Sequence, residues 1–171
     1  MFSINYMPSL WLNFAVLIFV QLLVFLIHAF YEKKLVDVPR ALWQGALSGI
    51  MVGPPVDLIV GKYLGIGTYL LGFGPLFLIP LAILGWGLGF ANIFLMQNAR
   101  LLHFCIWMMI VIVTSEIFNL FLPLWTWPFA FASFEYVMLA LVAPLLLAMF
   151  IALAWQVVFG YRFVFIYNIL K

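Results

Sequence analysis

The sequence predicts an all-α, polytopic integral membrane protein, a bundle of about five transmembrane helices. Three observations lead there. The 171 residues are 69% hydrophobic and only 7% charged, whereas soluble domains carry about 25% charged residues. A soluble fold could not cover so much apolar surface, so lipid must be part of the solvent. The apolar runs are long enough to cross a ~30 Å hydrocarbon layer. The basic residues also segregate: with these runs as spans, Lys33, Lys34, Arg40, Arg100, Arg162 and Lys171 fall on one side and Lys62 alone on the other. An excess of Lys and Arg in short loops marks the cytoplasmic face. The expected orientation is therefore N-terminus outside and C-terminus cytoplasmic, in a multi-pass protein of the cell membrane.

The first span is expected at 10–30, followed by a basic loop at 31–40. The second, 41–60, is rich in glycine and is expected to end at a Gly53-Pro54-Pro55 break. An outer loop at 61–74 carries Tyr63, Tyr69 and Phe73, and the third span, 75–96, contains Pro80. A tight inner turn at 97–100 leads to the fourth span, 101–122. The second outer loop, 123–135, is crowded with aromatics, and the fifth span, 136–159, contains Pro144. The tail, 160–171, is too short for a sixth span and is expected along the inner interface. The whole chain, 1–171, forms one transmembrane domain. Its first apolar run has no basic region before it and is too long for a cleavable signal. A net charge of +2 gives no reason to expect a nucleic acid partner, and the single cysteine, Cys105, rules out an internal disulfide framework.

The order of features hints at a parallel duplication, 41–96 against 101–159. In each half a carboxylate (Asp57, Glu116) precedes an aromatic outer loop and then a helix with an early proline (Pro80, Pro144).

Asp57 and Glu116 are the candidate catalytic residues, because ionisable groups inside spans are costly, about 2.5–3.5 kcal/mol for an Asp near the midplane. Ala41, Gly45, Gly49, Gly53 and Asp57 recur every four residues and share a helix face. Small residues at that spacing allow a close helix neighbour, which directs Asp57 into the bundle. Asn119, three residues after Glu116, shares its face and is expected to hydrogen-bond to it. If spans two and four are neighbours, the two carboxyl groups share one cavity beneath the aromatic loops. At least one is then expected to keep its proton near pH 7, since close carboxylates oppose each other's ionisation. Tyr69, Phe73, Trp125 and Trp127, with Asn119, are the candidate substrate-binding residues. Their π-faces could stabilise a cation, or they and the neighbouring aromatics could form an interfacial belt. Gln21 and His28 make a polar stripe with Asn13 on the first span, suited to interhelical hydrogen bonds. Gly85 and Gly89, around Trp86, are expected to form a second close-packing seam. His28 and His103 lack the supporting spacing of a haem site, and no metal-binding His/Glu pair or phosphate loop is evident. No cofactor or metal is expected.

The stretch RALWQGALSGIMVGPPVDLIVGKYLGIGTYLLGFGPLFLIPLAILGW, residues 40–86, resembles half of an integral-membrane lycopene cyclase and the membrane hydratases of carotenoid biosynthesis. Asp57, Gly65, Tyr69 and Pro80 follow the order of those families, with Glu116, Trp127 and Pro144 as the second half. Where those cyclases carry paired glutamates after the proline, this chain has Leu81-Ala82-Ile83-Leu84. The resemblance implies acid–base chemistry on a membrane-dissolved isoprenoid or related lipid, with that lipid as ligand. Two other readings stand beside it: a non-catalytic subunit bound to other membrane subunits, and a small proton-coupled transporter.

Overall fold

The computed structural model describes residues 7–169. The chain start and Lys171, which entered the topological argument, lie outside the described residues. The architecture is a helical bundle, and four of its helices are long and apolar enough to cross a membrane, as expected of a membrane protein.

Helix α1 (Met7–Tyr31) contains no acidic or basic residue other than His28. Its buried stripe, Phe14, Leu17, Gln21, Phe25 and His28, recurs at the three- and four-residue steps of one helix face. The opposite face leaves Leu12, Phe19, Ile27 and Phe30 exposed, as suits contact with lipid. A short 3₁₀ turn (Leu35–Asp37) leads into α2 (Val38–Val56), which continues as a π-helical segment (Asp57–Tyr63). The expected break at Gly53-Pro54-Pro55 is absent. The helix runs through both prolines and absorbs them by changing to the wider π turn. The two rings remove the amide donors that an α pattern would direct at Ile50 and Met51, and π segments are one way to accommodate such a loss. Helix α2 is not among the four helices long and apolar enough to cross a membrane. Its buried face (Ala41, Gln44, Gly45, Ser48, Gly49, Gly53) is small and polar, which is tolerable because protein rather than lipid covers it.

Helix α3 (Pro75–Leu95) supplies that cover. A Cβ at Gly45 would collide with backbone atoms of Gly87 and Ala91, and one at Gly49 with those of Ala82 and Gly87. The stripe therefore faces another helix of the chain, at backbone-to-backbone distance. The partner surface differs from the expected seam. It is Ala82, Gly87 and Ala91 that meet α2, whereas Gly85 and Gly89 point elsewhere, about two residues around the helix.

Helices α4 (Leu101–Phe121) and α5 (Phe134–Phe159) complete the bundle. Both α3 and α5 contain a π segment beside a proline, Leu81–Trp86 after Pro80 and Val137–Val142 ahead of Pro144. Helix α5 ends at Gly160, whose φ of +68° is the left-handed cap glycine favours. The tail, expected along the inner interface, packs its rings against the bundle while Arg162 and Val164 stay exposed. Phe163, Phe165 and Ile166 are buried in the main core, Tyr161 OH accepts from Arg40 at 3.0 Å, and Val164 N–H donates to Gln97 O at 2.9 Å. Burying those rings drives the tail and its short helix α6 (Val164–Ile169) inward.

The loops sort to opposite ends. The 61–74 and 122–133 loops meet through a two-residue antiparallel ladder, β1 (Thr68–Tyr69) against β2 (Trp125–Thr126). The 32–37 loop reaches the end of α3, just before the 96–100 turn, through Lys34 Nζ and Leu95 O, and the tail joins them there. Lys33, Lys34, Arg40, Arg100 and Arg162 thus gather at one end, with Lys62 at the other.

Candidate functional site

Beneath the paired loops lies a cavity of about 410 Å³, within the usual range for small-molecule sites. Its wall comes from α1 through Leu17, from α2 and its π segment, α3, α4, α5 and both loops, and all three π segments contribute residues to it. Gly85 and Gly89 form part of that wall. At Gly89 the missing side chain leaves space, since a Cβ there would meet nothing closer than Val111 Cγ1 at 4.0 Å, whereas Leu81 Cδ1 lies over Gly85, 2.7 Å from where a Cβ would stand; neither glycine brings two helices together. The lining is mostly aliphatic and aromatic, with Thr68 and Ser115 among its few polar side chains. Thr68 and Ala143 are exposed lining residues, so the cavity reaches the outside at the loop end and along α5.

Asp57 and Glu116 both line this cavity, and both are buried, at 5% and 9% exposure. Each carboxyl group accepts one phenol and one indole hydrogen bond. Tyr69 OH donates to Asp57 Oδ1 at 2.7 Å, and Trp86 Nε1–H donates to Oδ2 at 3.0 Å. Tyr136 OH and Trp127 Nε1–H both donate to Glu116 Oε2, at 2.9 and 3.1 Å. Phenol and indole exchange places between the halves: the loop gives Tyr69 to Asp57 but Trp127 to Glu116, and the helix gives Trp86 and Tyr136. Among the described residues neither carboxyl group forms an ion pair.

Local sequence explains this geometry. Asp57 is the first residue of the π segment that follows the two prolines. Gly53, one turn earlier, makes way for Trp86, whose Cδ1 would lie 2.6 Å from a Cβ there. The glycine stripe therefore sets the helix spacing and also seats the indole that holds Asp57. Tyr69 is placed by the ladder with Trp125 and by edge-on packing against Phe73 and Phe77 at 5.6 and 5.3 Å.

The candidate residues divide. Asp57, Glu116, Tyr69, Trp125 and Trp127 come together around the cavity, while Phe73 and Asn119 do not line it. Phe73 supports Tyr69 from behind and closes on Gly61. Asn119 does not bond to Glu116. Its Oδ1 accepts from the backbone N–H of Leu124 and Trp125 at 2.7 and 3.0 Å, and its Nδ2 donates to Trp125 O at 2.9 Å. The turn after α4 captures the amide, because its backbone donors would otherwise lack partners. Helices α2 and α4 are not packed against each other as supposed; α3 lies against both, and the carboxyl groups meet the same cavity from separate walls. Among the outer aromatics, Phe131 and Phe134 are 64% and 75% exposed, as an interfacial belt requires. Trp86, expected only in a packing seam, and Tyr136 are the carboxyl partners that no sequence spacing points to.

Gln21 and His28 of the α1 stripe form the interhelical bonds expected of them. Gln21 Nε2 donates to Ser115 Oγ at 2.6 Å, and His28 Nδ1 lies 2.8 Å from Asn92 Oδ1. At the basic end, away from the cavity, His28, Glu32 and His103 each bring a donor atom to within 4.8 Å of the others, a grouping the sequence reading did not foresee.

No protein-family model matches this chain, and no curated protein or solved structure is detectably similar to it.

Proposed function

We propose that the protein binds a membrane-dissolved isoprenoid or similar unsaturated lipid in this cavity and catalyses proton transfer at an alkene. The observation that carries the reading is the pairing of two buried, hydrogen-bonded carboxyl groups in one otherwise apolar cavity. One carboxylic acid O–H would protonate an alkene carbon. The π electrons form the new C–H bond, leaving a carbocation on the adjacent carbon and a carboxylate on the protein. The faces of Tyr69, Trp125 and Trp127 would stabilise the cation. The second carboxyl group, as its carboxylate, would remove a proton beside the cationic carbon and restore a double bond. The net reaction is an isomerisation, or a cyclisation where an internal alkene first attacks the cation, and it needs no oxidant or cofactor. The resemblance to carotenoid cyclases and hydratases supports the substrate class. The substitution of Leu81-Ala82-Ile83-Leu84 for their glutamate pair transfers the acid role to Asp57 and Glu116.

Gly89→Leu tests the ligand. A Cβ at Gly89 meets nothing closer than Val111 Cγ1 at 4.0 Å, so the larger side chain enters the cavity. Thermal stability is expected to hold or rise slightly, since replacing a helical glycine favours the helix by about 0.5–1 kcal/mol. Mass spectrometry of protein purified in mild detergent is expected to find an unsaturated apolar lipid on the wild type and at least tenfold less on the variant. Equal retention, or no such lipid on the wild type, would remove the reading in favour of a non-catalytic membrane subunit.

We further propose the orientation that basic residues dictate in a cell membrane, with the paired aromatic loops outside and the Lys33–Arg40 end in the cytoplasm. Cysteines at Ile66 and Ala130, in a Cys105→Ser background, are expected to react with an impermeant maleimide on intact cells. Labelling of both sites only after lysis would reverse the orientation.

A further inference from the structure

We propose that His28, Glu32 and His103 form a binding site for a divalent transition metal such as Zn²⁺, distinct from the carboxyl cavity. His28 and Glu32 are four residues apart, at the end of α1 and just beyond it, so they project from one side of the helix. His103 lies in the first turn of α4. Its Nε2 is 2.6 Å from Glu32 Oε1, and one donor atom from each of the three residues lies within 4.8 Å of the others.

The state of His28 is the independent observation. Its ring is fully buried and stacked on Trp107, with centroids 4.1 Å apart. Its Nδ1 contacts Asn92 Oδ1 at 2.8 Å, while Asn92 Nδ2 donates to Leu88 O at 2.9 Å. The second bond fixes the amide with its oxygen toward the histidine. Since that oxygen can only accept, Nδ1 carries the proton. The lone pair is then on Nε2, and Nε2 is buried with no hydrogen-bond partner among the described residues. A buried acceptor without a donor is costly. A metal-bound histidine typically shows the same arrangement, one nitrogen donating to an oxygen that fixes tautomer and ring orientation, the other free for the ion.

Two imidazole nitrogens and one carboxylate oxygen suit Zn²⁺ and its first-row neighbours better than Mg²⁺ or Ca²⁺, which prefer oxygen. Three donors at the usual bond lengths sit about 3–3.5 Å apart. Glu32 and His103, with side chains 18% and 33% exposed, can rotate to close the spread. The same exposure gives the ion a path from the aqueous end. Three protein ligands leave a fourth position for water, and the bound ion would tie the end of α1 to the start of α4.

The full-length protein, purified in detergent without a histidine tag and stripped with EDTA, would be titrated with ZnCl₂ in excess Mg²⁺ by calorimetry. One saturable Zn²⁺ per chain is expected. Both Glu32→Gln and His103→Gln are expected to weaken it by more than about 10- to 100-fold, the loss typical of removing only an outer partner that orients a ligand. Co²⁺ in place of Zn²⁺ should give a visible d–d band that His103→Gln abolishes. Absence of saturable binding to the wild-type protein overturns the site. Binding that persists unchanged in both variants, with the Co²⁺ band intact, overturns it equally.

Discussion

Gly49→Leu is expected to lower stability by about 3 kcal/mol, the upper end for overpacking, and to reduce the melting temperature by about 6–12 °C at the scaling for a domain of this size. The reason is the position of the obstacle. A Cβ at residue 49 would overlap Ala82 O and sit 2.8 Å from Gly87 N, and both are backbone atoms of α3, unable to turn aside as a side chain can. The variant must separate α2 from α3, and that separation withdraws Gly53 from Trp86 and so the indole from Asp57. In lipid no hydrophobic force drives two helices together, so the van der Waals packing that small residues permit carries much of their association. Thermal unfolding in detergent measures the effect, with Gly89→Leu as the matched control, since the same substitution on α3 enters open space. Wild-type stability for Gly49→Leu would mean that α2 and α3 are not packed as described.

That contrast between two glycines marks the boundary of what the sequence reveals. The stripe Gly45, Gly49, Gly53 was legible because a four-residue period places side chains on one face whatever lies opposite. Asp57 inherited its interior position from the same period. The identity of the opposite surface was not legible. Gly85 and Gly89 have the same spacing but line the cavity, and Gly87 between them makes the close contact. The direction of a face depends on the π turn after Pro80, which has no fixed signature in sequence. The prolines at 54 and 55 likewise read as a break, yet the helix widens and continues. Helix spacing puts Asn119 on the face of Glu116, but the turn beyond the helix supplies its partners, the backbone N–H of Leu124 and Trp125 and the carbonyl of Trp125. The grouping of His28 and Glu32 was not legible either, because one His/Glu step of four residues supplies only two ligands. Its third member, His103, is 71 residues from Glu32 and is brought there only by the packing of α4 on α1.

Asp57→Asn and Glu116→Gln are expected to leave the fold nearly intact while each abolishes proton transfer in the cavity. Neither carboxyl group forms an ion pair among the described residues, so an amide leaves no buried cation unpaired. Each substitute keeps an oxygen that can accept from the phenols and indoles, Tyr69 and Trp86 on one side and Tyr136 and Trp127 on the other. Glu116→Gln is the gentler case, because both donors converge on one oxygen, Oε2, which the amide oxygen can replace. In Asp57→Asn the donors are divided between the two oxygens, so one now faces an amide nitrogen. That mismatch is expected to cost about 1–3 kcal/mol, as for an unsatisfied buried donor. The amide cannot act as the acid in either variant, and general acid–base catalysis commonly contributes about 10²–10⁴-fold to a rate. The lipid recovered with wild-type protein, returned to each variant in detergent, should remain bound but unconverted. Deuterium exchange from D₂O into its alkene positions, seen with the wild type, should fall to background. Exchange at wild-type rates in both variants would show that the carboxyl groups only bind the helices together. Loss in one variant alone would assign the acid and base roles to a single residue, and the two-carboxylate mechanism would then have to be abandoned.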